Sequence, residues 1–357
     1  MATFKSWLNS TMHWFLLFIP LTWLLIYIDA SPALLFFMLT LSLIPIAHYI
    51  GHASKDVALQ SNPTIGGLVN ATCGNLIELI IAIFALREGL TRIVEASIIG
   101  SIIGNLLLLL GLSIFAGGLR FTEQNFNKTS IGISSTMLII AVIGLAIPTA
   151  YANLYPANTA NITLLSDAVA MVLAITYLAS LFFSLKTHKH LFDVSDEMKA
   201  AREKPEYPLK VAVLIIAVAT LFAALQSELL VKSIEPGAQA LGLSQTFIGV
   251  VIIAIITNIA EKFAAISFAL RNKLDISLEI GLSSAIQIAL FVVPILIFLS
   301  EIFNWGFLIV FPLFEILAVF ATVMIVNYLS SDGKCNWLEG VQLLSVYLIL
   351  AIAFFFI

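Results

Sequence analysis

An amide and a carboxylate three residues apart, Asn75 and Glu78, stand inside the apolar run GNLIELIIAIFALREG, residues 74–89. The same pair returns at an offset of 183 as Asn258 and Glu261, inside TNIAEKFAAISFALRN. On a helix, side chains three or four apart share a face, so each amide points with its acid. Ser101 and Asn105 share a face one segment later, as do Ser284 and Gln287, with Ser283 four before Gln287. Carboxylates, amides and hydroxyls are hard oxygen donors, the type a Ca²⁺ ion takes. Two carboxylates neutralise one divalent cation. Without the cation, two adjacent buried carboxylates do not both stay ionised, and protons are the natural replacement. A pocket that holds a cation or protons, and is never empty and charged, meets the requirement for obligatory exchange.

Ionisable groups inside hydrocarbon are costly and by default mark an ion path or a helix interface. Glu78 and Glu261, mid-segment and paired between two repeats, are read as the cation- and proton-binding carboxylates, and as the metal ligands. Asn75, Asn258, Ser101, Asn105, Ser284 and Gln287 are read as lining the same site. Glu95 and Glu279, related by an offset of 184, stand about one turn into their segments. Glu228 in LQSELLV lies near a segment end, and Glu315 in FPLFEILAVF reads as mid-helix without a partner in the other half. These four are candidate ion-path residues. Gly66, Gly67, Gly100 and Gly104, with Pro63 and Pro294, flank the motifs, where helices are expected to approach closely or to break and offer carbonyls to ions.

The elements that carry these residues must be membrane helices. The chain of 357 residues is 61% hydrophobic and 11% charged, against about 45–50% and about 25% in soluble domains. A formal net charge of −4 points to no nucleic-acid partner. Cys73 and Cys335 lie far apart, with no disulfide framework and no metal-type spacing. The opening MATFKSWLNS lacks a small-residue cleavage site, so no removed signal peptide is expected. Eleven segments approach the ~20 apolar residues of a span: 13–30, 33–50, 64–86, 93–116, 130–150, 160–184, 209–232, 245–271, 276–302, 306–329 and 337–357. With the N-terminus in the cytoplasm, thirteen Lys and Arg fall on the cytoplasmic side and three (Arg87, Arg92, Lys232) on the other, with Lys262 inside a span. That bias supports both the count and the orientation.

The expected organisation is all-α: a peripheral N-terminal helix (1–32), a five-helix repeat (33–184), a charged cytoplasmic linker (185–208) and a second five-helix repeat (209–357). An odd number of spans per repeat inverts the second against the first. Inverted repeats that meet at the bilayer midplane are the architecture of many secondary transporters. Two carboxylates could also line a divalent-selective channel, but an inverted repeat suits alternating access. There is no HExxH, no nucleophile with a base and no glycine-rich phosphate loop, so neither an intramembrane enzyme nor direct ATP drive is indicated.

The motifs GNLIELIIAIFALREG and EKFAAISFALRNKLDISLEIGLSSAIQIALFVVP, with LKTHKHLF and the C-terminal DGKCNWLEGVQLLSVYLILAIAFFF, make the chain resemble the calcium/proton exchanger (CAX) family of the calcium/cation antiporter superfamily. The resemblance covers nearly the whole chain. It implies an eleven-helix antiporter that exports Ca²⁺ from the cytoplasm against H⁺, with Glu78 and Glu261 as the exchanging carboxylates and no cofactor beyond the transported ions. Exchange of Mn²⁺, Mg²⁺, Na⁺ or K⁺ for H⁺ or Na⁺ is the alternative. The chain departs from the family pattern at Thr257 and Lys262, where Gly and His are usual, and at Ser54, Lys55 and Asp56. These departures bear on ion selectivity and stoichiometry rather than fold. A plasma membrane is expected in a prokaryote and a vacuolar or other organellar membrane in a eukaryote. The sequence leaves a homo-oligomer open.

Overall fold

Apolar runs in hydrocarbon must pair their own backbone groups, and an α-helix does so within one segment. In a computed structural model, which describes residues 12–61, 63–188 and 205–357, the runs form thirteen helices among the described residues. They are α1 (Met12–Tyr27), α2 (Pro32–Gln60), α3 (Pro63–Gly74), α4 (Leu76–Arg87), α5 (Thr91–Gly118), α6 (Lys128–Leu154), α7 (Thr159–Thr187), α8 (Leu209–Leu241), α9 (Gln245–Thr257), α10 (Ile259–Ala269), α11 (Leu274–Phe303), α12 (Leu313–Leu329) and α13 (Trp337–Phe355). Seven of the described helices are long and apolar enough to cross a membrane, or eight if the bent pair α9/α10 is one span. Taking α3/α4 and α9/α10 as broken rods, each of the eleven predicted segments falls on one rod. Leu164, Leu178, Leu214, Leu221, Leu317 and Leu348 are exposed on the outside of the bundle.

The two halves run oppositely. Arg92, at the start of α5, hydrogen-bonds Thr246 at the start of α9. Gln124, just beyond α5, donates to the carbonyl of Ala269 at the end of α10. So α9/α10 starts at the end of the bundle where its repeat mate α3/α4 finishes. These are called the Arg92 end and the Lys334 end. At the latter, strands β1 (Gln124–Asn125) and β2 (Lys334–Cys335) pair antiparallel and tie the loop after α5 to the loop before α13.

Several boundaries differ from those expected. The second rod runs to Gln60 rather than residue 50, because the helix continues past the apolar run as HASKDVALQ. Ser54, Lys55 and Asp56 are therefore helical, and buried Asp56 accepts the backbone N–H groups of Glu206 and Tyr207. Of the expected linker, residues 189–204 lie outside the described residues. The tenth span was expected from residue 306, yet α12 starts at Leu313. Gly306 (φ +75°) and Asn304 (φ +57°) turn the chain, and Pro312 delays the helix. The intervening buried backbone is satisfied by side chains: Ser300 Oγ accepts from Phe307 N, Ser166 Oγ from Ile309 N and Thr149 Oγ1 from Phe311 N.

The rods break at none of Gly66, Gly67, Gly100 and Gly104: the interruptions are at Asn75, directly after Gly74, and at its repeat mate Asn258, with a 57° bend at the second. Gly100 instead serves close approach: a Cβ there would lie 2.3 Å from the carbonyl oxygen of Val250, so α5 and α9 cross backbone to backbone.

Candidate functional site

Each break leaves two helix ends facing each other. Asn75 is the N-cap of α4 and Glu78 lies in its first turn; Asn258 is the N-cap of α10 and Glu261 lies in its first turn. A helix N-terminus carries about half a positive charge and unpaired N–H groups. This is how an acid is accommodated mid-membrane. The opposing C-terminal end of α9 presents a carbonyl to the same region. The carbonyl of Ala254 in α9 accepts from Asn258 Nδ2 and from Lys262 Nζ, both at 3.3 Å.

The cap side chains do not cap. Their amides reach across to the other half. Asn75 donates to Gln287 Oε1 at 2.7 Å and accepts from Ser284 Oγ at 3.2 Å. Asn258, its repeat mate, donates to Ser101 Oγ at 3.3 Å. Asn105 donates to Ser284 Oγ at 2.8 Å, and Gln287 donates to Ser283 Oγ at 3.0 Å. The eight expected lining residues thus converge on one place, where α4, α5, α10 and α11 meet.

Several acceptors of the site stay unpaired. Glu78 Oε1 and Oε2, Glu261 Oε2, Asn105 Oδ1 and Asn258 Oδ1 are buried without a hydrogen-bond partner. Buried acceptors left unpaired cost about 1–3 kcal/mol each, more if charged. Five such oxygens in one region mark a site that a cation or protons must complete. Among the described residues no three His, Cys, Asp or Glu side chains converge, so two carboxylates and neutral oxygens make the donor set. That set fits a hard cation in transit better than a fixed transition metal.

Gly74 is exposed and Glu261 half-buried. From Glu78 towards the Arg92 end runs a cavity of about 10 Å³, beside Ala82, Val94, Ser97 and Ser101, with room for about one water. Beyond it Arg92 bonds Glu95 at 3.1 Å, Thr246 at 3.0 Å and Glu315 at 2.5 Å. Its Glu315 partner is 1% exposed.

The four candidate ion-path acids therefore separate. Glu315 is not mid-helix: it lies in the first turn of α12 and, although it has no acidic repeat mate, pairs with Arg92 of the first half. Glu95 shares that arginine. Glu279, the repeat mate of Glu95, sits near the opposite end facing Ser134, with one oxygen unpartnered. Glu228 is set apart on the surface of α8, bonded to Lys232 at 2.8 Å.

Thr257 and Lys262, noted in the sequence as departures that bear on selectivity, neighbour Glu78 from the other half. Two features escaped the sequence reading. Arg92 was counted only as a loop charge. π-helical turns at Gly104–Leu109 and Ile288–Val292 occupy repeat-related places just beyond the site. An extra residue per turn there leaves no trace in an unbroken apolar run.

Comparison with known proteins agrees with this arrangement. The family described as "Sodium/calcium exchanger protein" matches residues 31–186 and 211–356, one block per repeat. A Ca²⁺/H⁺ antiporter of Aphanothece halophytica is 40% identical over 98% of this chain and 97% of its own. The Ca²⁺/H⁺ antiporter ChaA of Bacillus subtilis is 40% identical over 98% of this chain and 95% of its own. The solved structure of native YfkE superposes with a TM-score of 0.83 at 37% identity, covering 96% of this chain and all of that one. With both halves matched and full-length relatives at this identity, the chain belongs to the sodium/calcium exchanger family, in the calcium/proton exchanger branch that its motifs resemble.

Proposed function

We propose that this chain is a Ca²⁺/H⁺ antiporter in which Glu78 and Glu261 hold either Ca²⁺ or protons. The observation that carries the reading is the set of five unpartnered buried oxygens from both halves, two of the groups being carboxylates. Ca²⁺ takes six to eight oxygens at about 2.3–2.6 Å. Glu78, Glu261, Asn105 and Asn258 supply the unpartnered ones, and half-helix carbonyls and water complete the shell. Asn75, Ser101, Ser284 and Gln287 fix the ligands by bonding across the two halves.

The charge bias puts the Lys334 end in the cytoplasm and the Arg92 end on the opposite side. Ca²⁺ then enters past Gly74 and Glu261 and binds the ionised pair. For release the Arg92 end must open, which requires Arg92 to part from Glu315 and Thr246. The higher proton concentration there protonates the carboxylates and displaces the ion. The neutral protonated pair returns, whereas an empty ionised pair does not, because two unscreened carboxylates in hydrocarbon repel each other. Ca²⁺ and H⁺ are cargo, the bilayer is the solvent, and the transporter leaves its substrates chemically unchanged.

The test is uptake of Ca²⁺ by inside-out vesicles with an acid interior, set against Mn²⁺, Mg²⁺, Na⁺ and K⁺. Accumulation of Ca²⁺ that collapses when the proton gradient is dissipated supports the reading. Movement of only another cation, or Ca²⁺ flux indifferent to the gradient, contradicts it.

A further inference from the structure

Lys262 is a buried base one residue from Glu261, 5% exposed, in the first turn of α10. Its Nζ does not snorkel to the membrane surface. It reaches back across the break to the carbonyl of Ala254, eight residues earlier, in the last turn of α9. That carbonyl belongs to the C-terminal end of a half-helix, where partial negative charge gathers and where a broken-helix transporter offers ligands to its cation. Glu261 and Glu78 are its charged neighbours. The arrangement is one-sided: the repeat mate of Lys262, at the 183-residue offset, is Leu79.

We propose that Lys262 is a specificity-determining residue, a tethered cation that occupies one carbonyl of the exchange site and offsets one of its two negative charges. The inference rests on the exchange reading of that site and concerns its ion preference. Two physical consequences follow. A cation needing six to eight oxygens loses a carbonyl at the α9 end and draws on the leucine-bearing half instead. A divalent ion also meets a site whose net charge is nearer one than two, so its affinity is lower than the two carboxylates alone would give, and competition from monovalent cations is stronger.

The experiment measures the Ca²⁺ concentration for half-maximal uptake in inside-out vesicles, and for half-maximal thermal stabilisation of the purified full chain, in wild type, Lys262→Met, Lys262→Gln and Lys262→Arg. Methionine keeps the length without N–H or charge; glutamine keeps an N–H without charge; arginine keeps both. The expected result is at least a tenfold fall in both midpoints for Met and Gln, weaker inhibition by Na⁺ and K⁺, and little change for Arg. Midpoints for the neutral variants within twofold of wild type, or higher, overturn the proposal. So does misfolding of every neutral variant, which would make Lys262 a prop of the fold. If wild type moves no Ca²⁺ on any proton gradient, the antiport reading fails, while the stabilisation midpoints still decide the role of Lys262.

Discussion

Replacing Arg92 by methionine keeps an apolar stem of similar reach and removes the one cation that binds Glu95, Thr246 and Glu315 together. Glu315 is 1% exposed, so its carboxylate would be left buried beside Glu95. Stripping the partner from a fully buried pair costs about 3–5 kcal/mol. Side-chain exposures of 31% for Arg92 and 16% for Glu95 let water screen part of this, so the expected cost is about 2–3 kcal/mol. The contacts join α5 to the starts of α9 and α12, so this cost falls on the form closed at the Arg92 end. At about 1.4 kcal/mol per tenfold, the balance moves roughly 30- to 150-fold towards opening there. The assay places a cysteine at Ser97, which lines the cavity below Arg92, in a chain with Cys73 and Cys335 replaced by serine. Its labelling rate by an impermeant maleimide from the Arg92 side should rise by that order in Arg92→Met. Adding Glu315→Gln should return most of the rise, since the fully buried charge is then gone and only the part-exposed Glu95 is left without its cation. Unchanged labelling in Arg92→Met, or no recovery in the double variant, would refute the reasoning.

Other outcomes follow from the same geometry. Gly100→Ala puts a Cβ 2.3 Å from the Val250 carbonyl, whereas Gly104→Ala meets nothing within 4 Å. The first should cost about 1–3 kcal/mol of stability by overpacking and the second far less, read as melting temperatures in detergent. Ser284→Ala removes the hydroxyl that joins Asn75 to Asn105; it should cost about 1 kcal/mol and raise the Ca²⁺ concentration for half-maximal transport several-fold without unfolding the chain. At the Lys334 end, Glu123 at 2.9 Å holds the Lys334 ammonium above its ordinary value of 10.5. A raised lysine stabilises the fold below that value and loses the contribution as pH climbs through the folded one. Glu123→Gln should therefore flatten the alkaline loss of stability above about pH 10.5 and leave proton-driven uptake intact.

Much of this was legible because membrane helices write themselves plainly. Apolar runs located the rods, though not all of their ends, the offset between Asn75–Glu78 and Asn258–Glu261 exposed the repeat, and parity gave its inversion. Hidden were features that depend on what lies across the bundle. Residues 306–312 read as helix because GFLIVFP is apolar, but hydroxyls on Ser166, Ser300 and Thr149 take its N–H groups instead. That error moved Glu315 from the helix start to its middle and concealed its arginine. Gly66, Gly67, Gly100 and Gly104 drew attention as break points, yet the rods part at Asn75, just after Gly74, and at Asn258, whose side chains bond to the other half rather than cap their own helices. Lys262 stood out as a departure, but only its reach to Ala254 gives it a role in the site.

The central claim is that two buried carboxylates, one from each inverted half, carry the exchanged ions. The most direct measurement is radioactive Ca²⁺ uptake by acid-interior, inside-out vesicles holding wild type, Glu78→Gln or Glu261→Gln at matched expression. The account predicts accumulation by wild type that is lost when the gradient is dissipated, and none by either variant, because a neutral amide cannot take up and return a proton. Uptake at the wild-type level by either glutamine variant would contradict it.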